Sequence, residues 1–210
     1  MEVYSTEEQQ AEAIKRFFRE NGTSLIAGVV LGLGGLYGWK AYNQSQIDSA
    51  EAASDAYTQL ISTAGQENSD VLAKSDAFLT EYKDSSYSVL AAFVSAREAV
   101  DAKDYSAAKE KLEWIVTNAP KAELKAIATT RIARIELAEG NFDAALAKLN
   151  TTLPEAFKAQ VEELKGDIYF AKDDKDNARL AYQAALDAAG ETQNQLLQVK
   201  LDNLAVAQTL

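Results

Sequence analysis

Residues 21–39 read NGTSLIAGVVLGLGGLYGW, a run of nineteen residues without a charge that lies between Glu20 and Lys40. As an α-helix rising about 1.5 Å per residue, this stretch reaches roughly 28 Å, close to the roughly 30 Å hydrocarbon core of a bilayer. Its far end carries three aromatic residues, as the headgroup region favours: Tyr37, Trp39 and Tyr42. The sequence therefore predicts a single N-terminal transmembrane helix over residues 21–42.

The flanking charges predict which side of the membrane each end of the chain occupies. Positive residues cluster just before the segment, at Lys15, Arg16 and Arg19. After it, Lys40 is the only positive residue before Lys74. The positive-inside rule then places residues 1–20 in the cytoplasm and residues 43–210 outside it. A cleaved signal peptide is disfavoured, because the polar leader is long and no small-x-small site closely follows Trp39.

Residues 1–20 are predicted to form a cytoplasmic tail with a short amphipathic helix. Two overlapping capping boxes, Ser5 with Glu8 and Thr6 with Gln9, mark the start of this helix. Its apolar residues fall largely on one side: Ala13, Ile14, Phe17 and Phe18. The pattern fits either a helix lying along the cytoplasmic interface or a helical lead-in to the membrane segment, and both interpretations stay open.

Glycines in the membrane segment are spaced for close helix packing. Gly28 and Gly32 form one small-xxx-small pair, and Gly34 and Gly38 form another. Such pairs let a second helix approach closely in lipid, although glycine is also common in membrane helices generally. The spacing favours a helical partner in the membrane and does not identify it.

Composition excludes several kinds of chemistry. The chain has no cysteine and no histidine, which removes the usual zinc and copper ligands, thiol nucleophiles and histidine-based triads. Asp173, Asp174 and Asp176 lack the glycine and distal glutamate of an EF-hand loop. The net charge of −11 repels nucleic acid. We therefore predict no enzyme activity, no cofactor, no metal and no nucleic-acid partner.

The region beyond the membrane segment is predicted to be helical throughout. A first outer helix follows the anchor directly, residues 65–69 break it, and Asn68 or Ser69 caps the next helix. Turn segments then recur at residues 103–108, 140–145 and 173–178, with a large apolar residue four positions after the last alanine of each. Those alanines and their apolar partners are Ala108, Ala145 and Ala178 with Leu112, Leu149 and Tyr182.

These segments resemble the tetratricopeptide repeat, whose period is about 34 residues. The alanines are 37 and 33 residues apart. An amphipathic segment from Gln193 to Gln208 would cap the array. The fold class is thus predicted as all-α: one N-terminal transmembrane helix followed by a tetratricopeptide-like α-solenoid.

The tetratricopeptide resemblance implies that the first helix of each hairpin lines a concave protein-binding groove. The positions carried over are Phe93, Arg97, Ile127, Thr130, Arg134, Leu137 and Phe170. Arginine binds carboxylates through paired hydrogen bonds, and the apolar neighbours can accept side chains of an extended polypeptide. The alternative is that Arg97 and Arg134 pair internally with Glu98, Asp101 or Glu136 and only stabilise the solenoid.

The order of features along the whole chain resembles one known family. A basic-aromatic run, AIKRFFRENG at residues 13–22, leads into a glycine-rich anchor that closes on Gly38-Trp39, and degenerate repeats follow. This order is similar to that of the YfgM family of proteobacterial inner-membrane proteins, which are ancillary subunits of the SecYEG translocon. The resemblance implies a periplasmic domain that receives or relays polypeptides emerging from the translocon.

The same resemblance implies three kinds of partner. They are the SecYEG translocon, nascent secretory polypeptides, and PpiD, a membrane-anchored chaperone with a prolyl-isomerase-like domain. Two other functions remain compatible with the residues alone. One is a periplasmic scaffold for envelope assembly or division proteins, and the other is cytoplasmic regulation through the tail.

Overall fold

The computed structural model describes residues 7–66, 70–190 and 195–205, and every regular element within these ranges is helical. The all-α prediction is confirmed. The α-helices are α1 Glu7–Thr63, α2 Val71–Glu81, α3 Ser88–Asp101, α4 Tyr105–Asn118, α5 Ala122–Ala138, α6 Phe142–Leu149, α7 Lys158–Ala171, α8 Lys175–Ala189 and α9 Gln195–Ala205. A 3-10 turn at Glu155–Phe157 precedes α7.

Helix α1 runs for 57 residues, about 86 Å, without a break. The lead-in, the apolar segment and the first outer helix are therefore one element. The predicted capping residues Ser5, Thr6, Asn68 and Ser69 lie outside the described residues. At the start of α2, the residue in the N-cap position is Asp70.

The chain divides into two compact units, Met1–Ala52 and Ala53–Leu210. In the first unit, α1 is long and apolar enough to cross a membrane. Its large apolar side chains are exposed along the segment: Leu25, Ile26, Val29, Val30, Leu31, Leu33 and Leu36. This apolar surface is compatible with lipid, and a helix can enter lipid because its backbone polar groups are hydrogen-bonded within the helix.

The second unit is an array of helical hairpins, and the first helix of each repeat ends in the same way. Asp104, Asn141 and Asp174 each donate a backbone N–H to a carbonyl five residues earlier, at 2.8, 2.8 and 2.9 Å. The residue just before each of them has a positive φ: Lys103 at 61°, Gly140 at 77° and Asp173 at 60°. This is the Schellman ending of a helix. Its recurrence at all three predicted turns shows that they are equivalent positions of one repeat.

A small residue on the first helix faces a large one on the second in each repeat. Ala96 shares a buried cluster with Leu112, and Ala133 shares one with Leu149. In the third repeat the small residue is Gly166 and the large one is Tyr182. A Cβ added at Gly166 would lie 2.3 Å from the Tyr182 ring. Glycine in place of alanine on the first helix therefore leaves room for the larger tyrosine ring on the second helix.

Smaller clusters close both ends of the array. At the amino end, Ala53 and Leu60 of α1 are buried with Val71 and Phe78 of α2. At the carboxyl end, α9 buries Leu197 and Leu204 in the cluster of Tyr182. Helix α9 falls within the predicted terminal segment, whose first and last residues lie outside the described ranges.

Ser95 provides a stability prediction, because its hydroxyl is fully buried on α3 without a hydrogen-bond partner in the described chain. An unsatisfied buried hydroxyl costs about 1 to 3 kcal/mol. We expect Ser95→Ala to raise the free energy of unfolding by about 1 kcal/mol, measured by chemical denaturation. Ser75→Ala is the control, because the equally buried Ser75 donates to Ala91 O at 3.4 Å and should gain no stability.

Candidate protein-interaction surfaces

The outward side of the first helices α3, α5 and α7 presents a mixed apolar and basic surface. We call it the first-helix surface, and it comprises Phe93, Arg97, Ile127, Arg131, Arg134 and Phe170. Arg97 has a side chain 75% exposed, and Phe170 is 54% exposed. Arg131 and Arg134 are exposed, whereas Phe93 and Ile127 are half-buried.

Two of the predicted groove residues lie on the flank of α5 instead. Thr130 is 1% exposed and donates its hydroxyl to Ile127 O at 3.0 Å. Leu137 packs against the cluster that contains Ala133. At about 100° per residue, Thr130 and Leu137 lie roughly 60 to 80° around the helix from Ile127, toward the core. Thr130 therefore offers little to a partner, whereas Leu137 is half-buried like Phe93 and Ile127.

The two predicted arginines differ in their surroundings. Arg97 Nε lies 3.6 Å from Asp101 Oδ2, but both side chains are well exposed, so this pair contributes little stability. Arg134 has no ion pair among the described residues. The expected internal partners are engaged elsewhere, since Glu136 binds Lys109 and Glu98 accepts the Gly65 N–H. Within the described residues, Arg97 therefore forms the expected ion pair with a carboxylate of the same chain, and Arg134 does not.

Arg131 belongs to the same surface and was missed from the sequence. Its guanidinium carbon lies 4.8 Å from the centroid of the Phe93 ring, a cation–π contact between α5 and α3. Partial burial and the nearby charge of Arg134 lower the pKa of Arg131. Its position four residues after Ile127 and three before Arg134 is the helical spacing that could have revealed it.

Helix α7 also carries acidic side chains, unlike the basic first-helix surface, and a lysine of α9 neutralises two of them. Lys200 of α9 lies 2.8 Å from Glu163 and 2.7 Å from Asp167, and the Tyr182 hydroxyl donates to Asp167 at 2.8 Å. Burial disfavours the charged form of Lys200, but its hydrogen bonds to the two carboxylates outweigh this, so the pKa of Lys200 is raised. Burial, together with the bond to Asp167, raises the pKa of Tyr182.

Glu136 predicts how the array responds to acid. Burial disfavours its ionised form, but hydrogen bonds from Asn141 and Lys109 outweigh this and lower the pKa of Glu136. The carboxylate therefore stabilises the fold above its unfolded pKa of about 4.3, and this contribution is lost as the pH falls through the lowered folded pKa. We expect the melting temperature of Glu136→Gln to be below wild type at pH 7, with the gap narrowing toward pH 3.

The control for this prediction is Glu123→Gln, which removes one carboxylate from the exposed start of the same helix. Thermal unfolding of the three proteins at pH 7, 5 and 3 is the measurement. An unchanged gap for Glu136→Gln across this range would contradict the assigned role of Glu136.

The glycines of the membrane segment are open on the surface of α1. Gly28, Gly32, Gly34 and Gly38 are exposed, and a Cβ added at any of them would meet nothing within 4 Å in the described structure. These positions can therefore accept a closely packed helix from another chain. Among the described residues, no group of three or more acidic side chains is arranged to hold a metal ion.

The fold and these surfaces define a class: a membrane-anchored helical-repeat protein with one N-terminal span. Residues 15–206 match the family described as tetratricopeptide repeat-like domain. The chain is 35% identical over 207 residues to the ancillary SecYEG translocon subunit of Escherichia coli (strain K12), covering 98% of this chain and 100% of that protein.

Proteins of the same name in two other bacteria are also similar. The chain is 31% identical to that of Haemophilus influenzae, covering 94% of this chain and 97% of the relative. It is 27% identical to that of Neisseria gonorrhoeae, covering 97% and 100%. No solved structure matches the chain significantly. The chain belongs to the YfgM family, and its single apolar N-terminal helix fits a protein of the inner membrane.

Proposed function

We propose that the chain is an ancillary subunit of the SecYEG translocon. In this function it links emerging secretory polypeptides to the periplasmic chaperone network through contacts of its repeat domain, without catalysis or cofactor. The observation that carries the proposal is that similarity to the named translocon subunits extends over both the membrane segment and the repeats. The exposed first-helix surface supplies a place for polypeptide contacts.

The proposal requires that the repeat domain lies in the periplasm. Its support is the distribution of basic residues, since Lys15, Arg16 and Arg19 closely precede the membrane segment whereas Lys40 alone follows it before Lys74. Because the chain has no native cysteine, single-cysteine variants test this directly. In spheroplasts, a membrane-impermeant maleimide should label Gln183→Cys, whereas Glu12→Cys should react only after lysis. The reverse pattern would overturn the orientation.

Partners in the membrane are proposed to be the translocon and PpiD. The open glycines Gly28, Gly32, Gly34 and Gly38 support helix contacts there. Purification in mild detergent should recover SecYEG and PpiD with the native chain. Replacing residues 21–42 with an unrelated membrane helix should reduce this recovery if the glycine-bearing helix carries recognition. Complete absence of SecYEG from the native purification would refute the proposal.

Photocrosslinking tests whether the first-helix surface meets secretory chains. Phe170 is the better position for a photoreactive residue, because Phe93 is half-buried beneath Arg131. A stalled secretory polypeptide should crosslink at Phe170 and not at Gln183, an exposed position on the second helix α8. Crosslinking to one fixed envelope protein instead would favour a scaffold for envelope assembly or division.

A further inference from the structure

We infer that Arg131 and Arg134, set beside Phe93, select polypeptide segments in which carboxylates lie close to apolar side chains. The inference rests on the proposed function, because it names the class of polypeptide that the first-helix surface prefers. Three observations carry it: the absence of carboxylate partners for these arginines, their placement on one helix face, and the apolar groups around them.

The first observation concerns charge pairing. Beyond residue 40 the chain has 17 basic and 27 acidic residues, and ten of the basic residues form an ion pair within the described residues. Of the four arginines in this region, Arg97 and Arg179 have ion pairs. Both arginine pairs lie within one helix, whereas five lysines form ion pairs with residues of another helix: Lys109, Lys111, Lys148, Lys172 and Lys200. Arg131 and Arg134 have no ion pair within the described residues.

The second observation concerns placement. Arg131 and Arg134 are three residues apart on α5, where side chains are neighbours on one face. Two like charges at this spacing repel each other, and the pKa of Arg131 is lowered by burial of its guanidinium and, to a smaller extent, by that repulsion. A carboxylate placed between the two guanidinium groups would relieve the repulsion and accept charge-assisted hydrogen bonds from both.

The third observation concerns the apolar groups. The Phe93 ring lies under Arg131, with the guanidinium carbon 4.8 Å from the ring centroid, and an arginine already placed by such a contact loses less entropy when a ligand binds. Ile127 lies one helical turn before Arg131, and both apolar residues are half-buried with part of their surface open. An apolar side chain next to the ligand carboxylate could therefore rest on Phe93 or Ile127.

The partner is a polypeptide because the basic surface is small and local. A nucleic acid or an anionic membrane carries charge over a long range, and the excess of ten acidic residues beyond residue 40 repels both. A single carboxylate on a flexible chain can reach the arginine pair while the rest of the chain stays clear of the acidic surface.

The test measures binding of two matched peptides to the full-length chain in phosphatidylcholine nanodiscs. The peptides are rhodamine-labelled, have twelve residues of leucine and serine, and differ only at one central residue, Asp or Asn, flanked by leucines; fluorescence anisotropy reports binding. We expect the acidic peptide to bind about tenfold more tightly, as charge-assisted hydrogen bonds predict, and the difference to shrink as salt is added.

Variants assign the preference to the arginine pair. Arg131→Gln with Arg134→Gln should reduce the affinity for the acidic peptide to that for the neutral one, with the neutral peptide little affected. Lys74→Gln with Lys83→Gln removes the same charge from exposed positions outside the first helices, and it should keep the preference. Circular dichroism of each variant confirms that the helices persist.

Several outcomes would overturn the inference. These are equal binding of both peptides by the wild type, a preference that survives loss of both arginines, and a preference lost equally in the lysine control. Crosslinking of secretory chains at Phe170 is independent of these measurements. If it persists while acidic preference is absent, the selectivity fails and the proposed function stands.

Discussion

Gly166→Ala should destabilise the repeat domain by about 1 to 3 kcal/mol, although alanine is the better helix former by about 1 kcal/mol. The reason is steric, since the added Cβ would lie 2.3 Å from Tyr182 Cδ1 and 2.4 Å from Cε1. Both residues are buried between α7 and α8, and the Tyr182 hydroxyl is also bound to Asp167, so the ring cannot easily withdraw. Chemical denaturation of wild type and variant gives the difference.

The other two repeats of this chain show which second substitution should compensate for Gly166→Ala. The equivalent pair is Ala96 with Leu112 in the first repeat and Ala133 with Leu149 in the second. Combining Gly166→Ala with Tyr182→Leu recreates that pair, so the double variant should be more stable than the additive sum of the single variants. Simple additivity would show that Gly166 is not small on account of the Tyr182 ring.

Val30→Arg should abolish most membrane insertion. The seven large apolar residues of the segment together contribute roughly −2 to −4 kcal/mol on the insertion scale, whereas one arginine near the helix centre costs about +2.5 to +3.5 kcal/mol. The side chain of Val30 is 63% exposed on α1, so no neighbour in the described structure would shield the charge. Carbonate extraction of membranes should find the variant largely in the soluble fraction.

A matched control separates the charge from the loss of valine. Val30→Leu keeps an apolar side chain at the same exposed position and should remain fully in the membrane fraction. Normal membrane retention of Val30→Arg would contradict the interpretation of residues 21–39 as the span.

The repeat pattern could be predicted because its signals are local. Ala108, Ala145 and Ala178 each lie four residues before a large residue of the same helix, so both members of the pattern are close in the sequence. The structure places all three alanines at 0% exposure. The apolar segment could be predicted for the same reason, since hydropathy over a single helix requires no knowledge of distant residues.

The first-helix surface could be predicted only in part, because the rotation of each helix about its axis depends on distant packing. Carrying family positions onto α5 selected Thr130, which is buried, and omitted Arg131, which lies over Phe93. The sequence suggested that Glu136 forms an ion pair with Arg134, two residues earlier. Its partner in the structure is Lys109, 27 residues earlier, and only the packing of α4 on α5 creates that contact.

The position of Lys200 has a consequence for what can be stacked on the carboxyl end of the repeat array. Glu163 and Asp167 on α7 are held by one ammonium group from α9. Any further hairpin stacked after α8 would have to supply a cation at the same height, or leave two neighbouring carboxylates to repel each other. A hairpin inserted between α8 and α9 would therefore be better accommodated if it carried a basic side chain at the position that Lys200 occupies beside these two carboxylates.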